Sequence, residues 1–220
     1  MAKFARSALP VLLLAMFALQ AVMSMRLTSI TFDETAHLPA GYAYWKTLDI
    51  RLNLEHPPFV KLLCAAPLLA LGPEMDLSAP DYAGEEPNEW TFGARFLEQN
   101  DIERLMFWGR LPVALLGVIL GIYVFCWAGK LYGNKAALLA LFFYAFSPNI
   151  IAHSRLVTTD LAMSCFTTMT FYHWWRFLRK PILKRHLLFT GLSLGLALAT
   201  KYLAITLIPL LALMMLIVLN

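Results

Sequence analysis

The chain has 220 residues, of which 60% are hydrophobic and 15% are charged, and its formal net charge is +4 at pH 7. Soluble domains carry about 45–50% apolar and about 25% charged residues, so this composition excludes an ordinary water-soluble protein. The basic residues lie at the ends of apolar stretches, so the positive charge reflects membrane topology and argues against nucleic-acid binding. The three cysteines all lie in apolar stretches and indicate neither a disulfide framework nor a metal knuckle.

Long uncharged stretches predict membrane spans. Gaps of 19 residues without a charged side chain separate Arg6 from Arg26, Arg110 from Lys130, and Lys135 from Arg155. A helix needs roughly 20 apolar residues to cross a hydrocarbon core of about 30 Å. Shorter apolar stretches nearer the C-terminus span if their flanking charges reach the interface. We therefore predict an all-α, polytopic membrane helical bundle of about six transmembrane helices, at residues 7–25, 111–129, 136–154, 160–176, 187–200 and 202–219.

Two of these spans have alternative interpretations. Residues 187–219 can form one long kinked helix, although we favour two spans with a break at Lys201. The first span can be a cleaved signal peptide, because Ala18-Leu19-Gln20-Ala21 ends in small residues. Its apolar run exceeds a usual signal core, so we favour an uncleaved anchor. Small residues at four-residue spacing, Gly117 with Gly121 and Gly191 with Gly195, predict close helix packing.

Lysine and arginine near the span ends set the orientation. Basic residues precede the first span, bracket the link between the second and third, and fill the link after the fourth, which puts these segments on one side. We predict that this side is cytoplasmic and that the N-terminus lies there. The long loop at 26–110 is then extracytoplasmic, and it holds 13 of the 14 acidic residues and seven basic ones.

The outer loop divides into parts with different expected structure. Thr31 precedes acidic residues at a possible helix start. Prolines make 51–58 an extended lead-in to an apolar segment at 59–71, which is too short to span and is predicted to form short interfacial or re-entrant helix. Residues 73–100 are acidic and contain Gly, Pro and Asn, which predicts a flexible solvent loop.

Two features of the outer loop could carry chemistry. Asp33 and Glu34 follow the first span closely, and a carboxylate at the membrane surface can act as a general base towards a hydroxyl or amine. The alternative is a simply solvated acidic pair. Glu55 and His56 precede two prolines that fix the backbone, and together they could hold a divalent cation or contact a phosphate. The alternative is a loop-to-helix turn with a solvated histidine.

Two further features lie near span ends. Asp160 opens an apolar run shortly after Arg155, where such an acid usually faces a cavity or partner, although a helix-capping role is the alternative. Lys201 interrupts an apolar stretch and can either snorkel to the interface or bind an anionic headgroup. The predicted topology brings all four features to the outer face. Carboxylates, a histidine and cations suit an anionic lipid-phosphate substrate that meets a polar acceptor.

These residues resemble motifs of the GT-C superfamily of membrane glycosyltransferases, which includes protein O-mannosyltransferases and lipid A aminoarabinose transferases. Phe32-Asp33-Glu34 is similar to the acidic motif of their first outer loop. The segment 55–63 (EHPPFVKLL) is similar to their HPPL-type segment. Residues 147–160 resemble the junction of their third and fourth spans, and 191–202 their fifth-span pattern. The resemblance covers nearly the whole chain in the expected order.

The resemblance implies an enzyme that transfers a hexosyl or pentosyl group from a polyprenyl-phosphate carrier to a protein, lipid or glycan acceptor outside the cytoplasm, with inversion. It implies Asp33 as general base beside Glu34 in the catalytic motif. The residues carried over to substrate binding are His56, Lys61, Arg155 and Lys201. Many members use a divalent metal ion, for which Asp160 and Glu55 are the candidate ligands.

The expected setting is a multi-pass protein of a bacterial inner membrane in contact with membrane lipid. Family members have about twice as many spans, so the chain resembles the N-terminal half of such an enzyme. Two other classes remain open. A non-catalytic membrane module would require a second polypeptide for transfer, and a transporter would carry ionisable residues in mid-span rather than at span ends.

Overall fold

A computed structural model of the protein describes residues 2–182 and 184–219, and the regular structure of this part of the chain is helical, without strands. The helices in chain order are α1 (Ala2–Met25), α2 (Phe32–Thr47), α3 (Phe59–Ala65), α4 (Leu68–Leu71), α5 (Pro80–Ala83), α6 (Glu89–Glu98), α7 (Ile102–Tyr132), α8 (Asn134–Ala145), α9 (Pro148–His153), α10 (Asp160–Arg179), α11 (Lys184–Leu198) and α12 (Leu207–Leu219). A short 3₁₀ turn at Tyr202–Thr206 joins α11 to α12. The predicted all-α class is confirmed.

Two helices are long and apolar enough to cross a membrane by length and composition, at Ala8–Met25 and Ile102–Tyr132. They contain the predicted first and second spans. Shorter apolar helices lie at Asn134–Ala145 and Tyr202–Val218. The predicted fourth and fifth spans fall on α10 and α11, of 20 and 15 residues.

The predicted third span at 136–154 is not one continuous helix in the structure. α8 ends at Ala145, and α9 begins at Pro148. Proline has no N–H to continue a helical ladder, and it drives the residue before it towards extended backbone. Ser147 accordingly has φ −73° and ψ 114°. The chain also leaves the helix near Lys201, where the sequence favours a break, and this residue has φ −150° and ψ 135°.

Residues 73–100 were predicted as a flexible loop, and this is wrong over α6. Asn88 caps that helix, because its side-chain oxygen accepts the N–H groups of Trp90 and Thr91. Phe92 and Phe96 lie one turn apart and are both buried. The acidic composition of this segment suggested a loop, but its apolar residues form one face of α6 that packs on α2 and α5.

Close backbone contacts hold the outer-loop helices together. A Cβ atom at Gly41 of α2 would lie 2.1 Å from the carbonyl oxygen of Lys61 in α3, and one at Gly93 of α6 would lie 1.9 Å from that of Thr35. Only glycine allows backbones to approach so closely. α2 is therefore clamped between α3 and α6.

The glycine pairs of the apolar helices behave differently from each other. A Cβ atom at Gly117 would lie 2.8 Å from Ser154 Oγ, and one at Gly121 would lie 2.9 Å from Tyr144 Cε1, so the predicted packing role is confirmed for α7. At Gly191 and Gly195 of α11, no atom of the described chain would lie within 4 Å of an added Cβ. The packing role predicted for that pair is wrong within the described chain.

Candidate active site

Asp33 lies in the first turn of α2 with its side chain exposed. Acidic side chains are common in the first turn of a helix, where unpaired N–H groups and the helix dipole attract them. Asp33 is also within electrostatic range of His37, which follows it by one helical turn. The helix fixes the backbone of Asp33 and its carboxylate faces solvent, where a base can receive a proton from a ligand.

Glu34 has a different environment from its neighbour. Its side chain is 0% exposed and forms an ion pair with Arg110, which is 1% exposed, with Nε to Oε1 and Nη2 to Oε2 distances of 2.7 Å each. Thr31 donates its N–H and its hydroxyl to Oε2, and the N–H of Val157 donates to Oε1. Burial by itself raises the pKa of Glu34, but the hydrogen bonds from Arg110 and Val157 outweigh it and lower the pKa below its usual range.

Arg110 joins this carboxylate to the chain segment between α1 and α2. Besides Glu34, its guanidinium donates to the carbonyl oxygens of Met25, Thr28 and Ser29, each at 3.0 Å. All five of its N–H donors therefore have partners. The Glu34–Arg110 pair therefore connects four parts of the chain: the end of α1, the start of α2, helix α7 and the segment before α10. With five accepted hydrogen bonds, Glu34 is suited to hold Asp33 in position rather than to take a proton.

Two histidines lie side by side on the flank of Asp33. The rings of His37 and His56 have centroids 6.0 Å apart. His37 is buried, and its Nδ1 is 3.2 Å from the carbonyl oxygen of Val157. Burial lowers the pKa of His37, against the opposing effects of that contact and of the Asp33 charge. His37 is therefore a neutral group at pH 7, and it links the start of α2 to the half-buried His56.

Lys61, predicted to bind substrate, is instead fully buried. Its ammonium group donates to the backbone oxygens of Asn53 (2.7 Å) and His56 (2.9 Å) and to the side-chain oxygen of Asn53. All three donors are used, so no donor is left for a ligand. Burial lowers the pKa of Lys61 to about 8. Lys61 fixes the loop that carries Glu55, which is exposed, and His56.

Asp160 and Lys201 meet at the same end of the bundle. Lys201 Nζ lies 2.7 Å from Asp160 Oδ1 in a pair that is open to solvent. The charges of His56 and His153 are within electrostatic range of this carboxylate. The N–H of Phe59 also bonds to the carbonyl oxygen of Ala199 at 3.2 Å, which ties the proline-rich segment to the end of α11.

The segment between α9 and α10 contains buried polar atoms without hydrogen-bond partners among the described residues. They are Nδ1 of His153, Nε of Arg155 and Oγ1 of Thr158. Buried polar groups are nearly always paired in native proteins, so such atoms indicate a water or a ligand. Arg155 is half-buried, and it is the cation of this segment.

The metal site expected from Asp160 and Glu55 does not fit this arrangement. Among the described residues, no group of three or more His, Cys, Asp or Glu side chains is arranged to hold a metal ion. A lysine ammonium occupies one oxygen of Asp160. We therefore assign no step to a metal ion.

A groove of about 620 Å³ lies on the other side of Arg110, between residues 25–30 and 101–108. None of the predicted site residues lines it. Its size alone does not mark it as the site, because the titratable groups described above converge elsewhere.

The four segments predicted to share one face contain residues that lie near one another, and three further residues of this region, His37, Arg110 and His153, were not predicted. His37 could have been found as the residue one turn after Asp33. Arg110 is the charged residue at the start of the second uncharged stretch, and a charge at a span end often has an acidic partner. For His153, the only indication in the sequence is that it lies two residues before Arg155.

A comparison with protein families finds a match over residues 102–219, to the family described as dolichyl-phosphate-mannose-protein mannosyltransferase. No curated protein and no solved structure matches the chain. The matched residues run from α7 to α12 and include Arg110, Arg155, Asp160 and Lys201. The match covers more than half of the chain, which therefore belongs to the dolichyl-phosphate-mannose-protein mannosyltransferase family, a family of integral membrane glycosyltransferases.

Proposed function

We propose that this chain carries the catalytic site for transfer of a sugar from a polyprenyl-phosphate carrier to an extracytoplasmic hydroxyl acceptor. The observation that carries the proposal is the meeting of an exposed carboxylate, two histidines and a lysine from distant segments at one end of the bundle. The proposed setting is a multi-pass protein of a bacterial plasma membrane with a cytoplasmic N-terminus. The membrane-embedded carrier then reaches the site from the bilayer.

Asp33 is the proposed general base. The acceptor hydroxyl gives its proton to the Asp33 carboxylate as its oxygen forms a bond to the anomeric carbon. The bond from that carbon to the phosphate oxygen breaks, and the phosphate leaves with the electron pair. A phosphate needs little protonation to leave if its negative charge is neutralised, so the base and the cations are the essential groups.

Lys201, Arg155 and His56 are the proposed partners of the carrier phosphate. Lys201 uses one donor on Asp160, so two N–H groups of its ammonium remain for phosphate oxygens. The unpartnered Nε of Arg155 adds a second donor, and a guanidinium matches phosphate geometry. Asp160 holds Lys201 towards the site in the absence of substrate.

Glu34 and Arg110 are proposed as positioning residues. Their ion pair fixes the backbone on both sides of Asp33 and also holds Val157, whose carbonyl oxygen contacts His37. A fixed base avoids the entropy cost of ordering it in the transition state. Lys61 has the same kind of role for His56.

The test of the base is sugar transfer by membranes containing the protein, with a labelled polyprenyl-phosphate sugar as donor. Asp33→Asn is expected to reduce the rate at least about 100-fold, the usual contribution of a positioned base, without loss of membrane insertion. Glu98→Gln, at an exposed acid of the same loop, is the matched control and should keep the parent rate. Turnover retained in Asp33→Asn would remove Asp33 from the base role.

The test of the phosphate partner is the dependence of transfer on donor concentration. Lys201→Met should raise the KM for the donor by about tenfold or more, because a hydrogen bond to a charged group contributes roughly 1.5–3 kcal/mol. Lys201→Arg keeps the charge and should recover most of the affinity. Equal KM values for the two variants would contradict a charge interaction with the carrier.

A further inference from the structure

Two aromatic rings lie stacked beside Asp33 and are not used by the mechanism above. Phe32 of α2 and Trp90 of α6 have ring centroids 4.0 Å apart and planes at 22°. Phe32 is 72% exposed and Trp90 is half-buried, so the stack presents aromatic surface to solvent. Phe32 immediately precedes the proposed base in the chain, and Trp90 stacks on Phe32.

The stack is held rigidly by the register of the two helices. Phe32 meets Trp90, and three residues later Thr35 meets Gly93, where an added Cβ would lie 1.9 Å from the threonine carbonyl oxygen. The second contact lies three residues further along both helices than the first, so α2 and α6 run side by side in the same direction. The Asn88 cap fixes the start of α6 just before Trp90. A preorganised surface loses little entropy when a ligand binds.

Acidic residues close to Trp90 in the sequence disfavour an anionic ligand at the stack. Glu85, Glu86 and Glu89 precede Trp90. The basic residue of α6, Arg95, already pairs with Asp76 and Asp81. Carboxylates accept hydrogen bonds from hydroxyl groups, and the electron-rich face of an aromatic ring attracts the C–H face of a sugar ring. This combination favours a neutral ligand that is rich in hydroxyl groups and has one apolar face.

The position of the stack relative to Asp33 indicates which substrate it would bind. Successive residues of a helix are about 100° apart around its axis. Asp33 and His37, four residues apart, share the flank that faces His56, whereas Phe32 and Thr35 face α6. In a direct displacement, the attacking oxygen and the departing phosphate are on opposite sides of the reacting carbon. The base must reach the attacking oxygen, so the acceptor lies beside Asp33, and Phe32 places the aromatic pair next to Asp33 on α2.

We propose that Phe32 and Trp90 form an acceptor subsite that binds a pyranose ring, so that the acceptor is a glycan or glycolipid whose hydroxyl is presented to Asp33. This inference rests on the proposed function, because it assigns the second substrate of the same site. The ring stacks on the aromatic pair, and its hydroxyl groups donate to neighbouring carboxylates. One hydroxyl then gives its proton to Asp33 in the transfer step described above.

The experiment measures binding without the donor, on the chain in lipid nanodiscs. The probes are methyl pyranosides of neutral hexoses, an uncharged threonine tripeptide and a methyl hexuronoside, and saturation-transfer NMR detects their contact with protein. Trp90→Ala should weaken binding of the neutral pyranosides about tenfold or more, and Trp90→Tyr should largely restore it. Trp108→Ala, at a similarly accessible tryptophan that is 42% exposed on α7, is the control and should leave binding unchanged.

Three results would overturn the inference: no pyranoside binds, pyranosides bind equally well to Trp90→Ala, or the tripeptide binds in place of the sugars at the Trp90-dependent site. Asp33→Asn separates this inference from the proposed function. If Asp33→Asn loses sugar transfer but still binds pyranosides, both the base and the acceptor subsite are supported. If it loses sugar transfer and no pyranoside binds, the acceptor subsite alone is refuted. Retained transfer with ring binding intact refutes the base while the sugar subsite stands.

Discussion

Replacement of Arg110 by methionine removes the cation from a pair that is almost completely buried. Glu34 then keeps the hydrogen bonds from Thr31 and Val157 but loses both of those from the guanidinium, and three backbone carbonyl oxygens lose their donor. Removal of one partner from a buried ion pair typically costs about 3–5 kcal/mol. For a chain of this length, each kcal/mol lowers the Tm by about 2–4 °C, so we expect a decrease of about 6–20 °C.

The assay is thermal unfolding in detergent, followed by tryptophan fluorescence, for Arg110→Met, Glu34→Gln and the double variant. The double variant should lose less than the sum of the single variants, by roughly 0.5–3 kcal/mol, because each single change leaves an unpaired partner behind. Arg95→Met is the control, since its partly exposed pair should contribute about 1 kcal/mol or less. A Tm of Arg110→Met within about 2 °C of the parent, or strictly additive effects, would refute the reasoning.

The same pair predicts a pH dependence. The folded state lowers the pKa of Glu34 below its usual value of 4.5, so its contribution to stability is complete above that pH. As the pH falls through the lowered pKa, the carboxylate is protonated and this contribution is lost. The Tm of Glu34→Gln should therefore fall less than the Tm of the parent protein as the pH is lowered below 4.5. An identical acid profile for parent and variant would contradict an ionised Glu34 in the fold.

Two further substitutions test the supports of the site. Gly93→Ala forces a methyl group against the Thr35 carbonyl and should destabilise the protein by about 1–3 kcal/mol, whereas Gly191→Ala meets no atom and should not lower the Tm. Lys61→Met leaves acceptors of the 53–56 loop unpaired, so amide hydrogen exchange of that loop should rise by about tenfold or more. Unchanged exchange would show that Lys61 does not hold the loop.

The parts of the fold that depend on local patterns could be predicted from the sequence. Uncharged stretches identified the apolar helices, and Thr31 followed by acids marked the start of α2. Lys201 marked the break before the last helix. These features depend on neighbouring residues, so one sequence is enough to detect them.

The parts that depend on distant contacts could not be predicted. Glu34 and Asp33 are adjacent acids of the same type, and only the position of Arg110, 76 residues away, distinguishes the buried one from the exposed one. Lys61 was predicted to bind substrate, but oxygen atoms of its own loop occupy its donors. α6 was missed because acids mark both flexible loops and exposed helix faces.

We propose that Asp33 and Lys201 lie at one water-filled opening on the non-cytoplasmic side. A membrane-impermeant thiol reagent, applied to intact cells that produce Asp33→Cys, Lys201→Cys or Lys180→Cys in a Cys126→Ala background, tests it directly. The remaining cysteines are buried. We predict that the first two variants react from outside and that Lys180→Cys reacts only after the membrane is opened. Labelling of Asp33→Cys and Lys201→Cys from opposite sides would contradict a shared site.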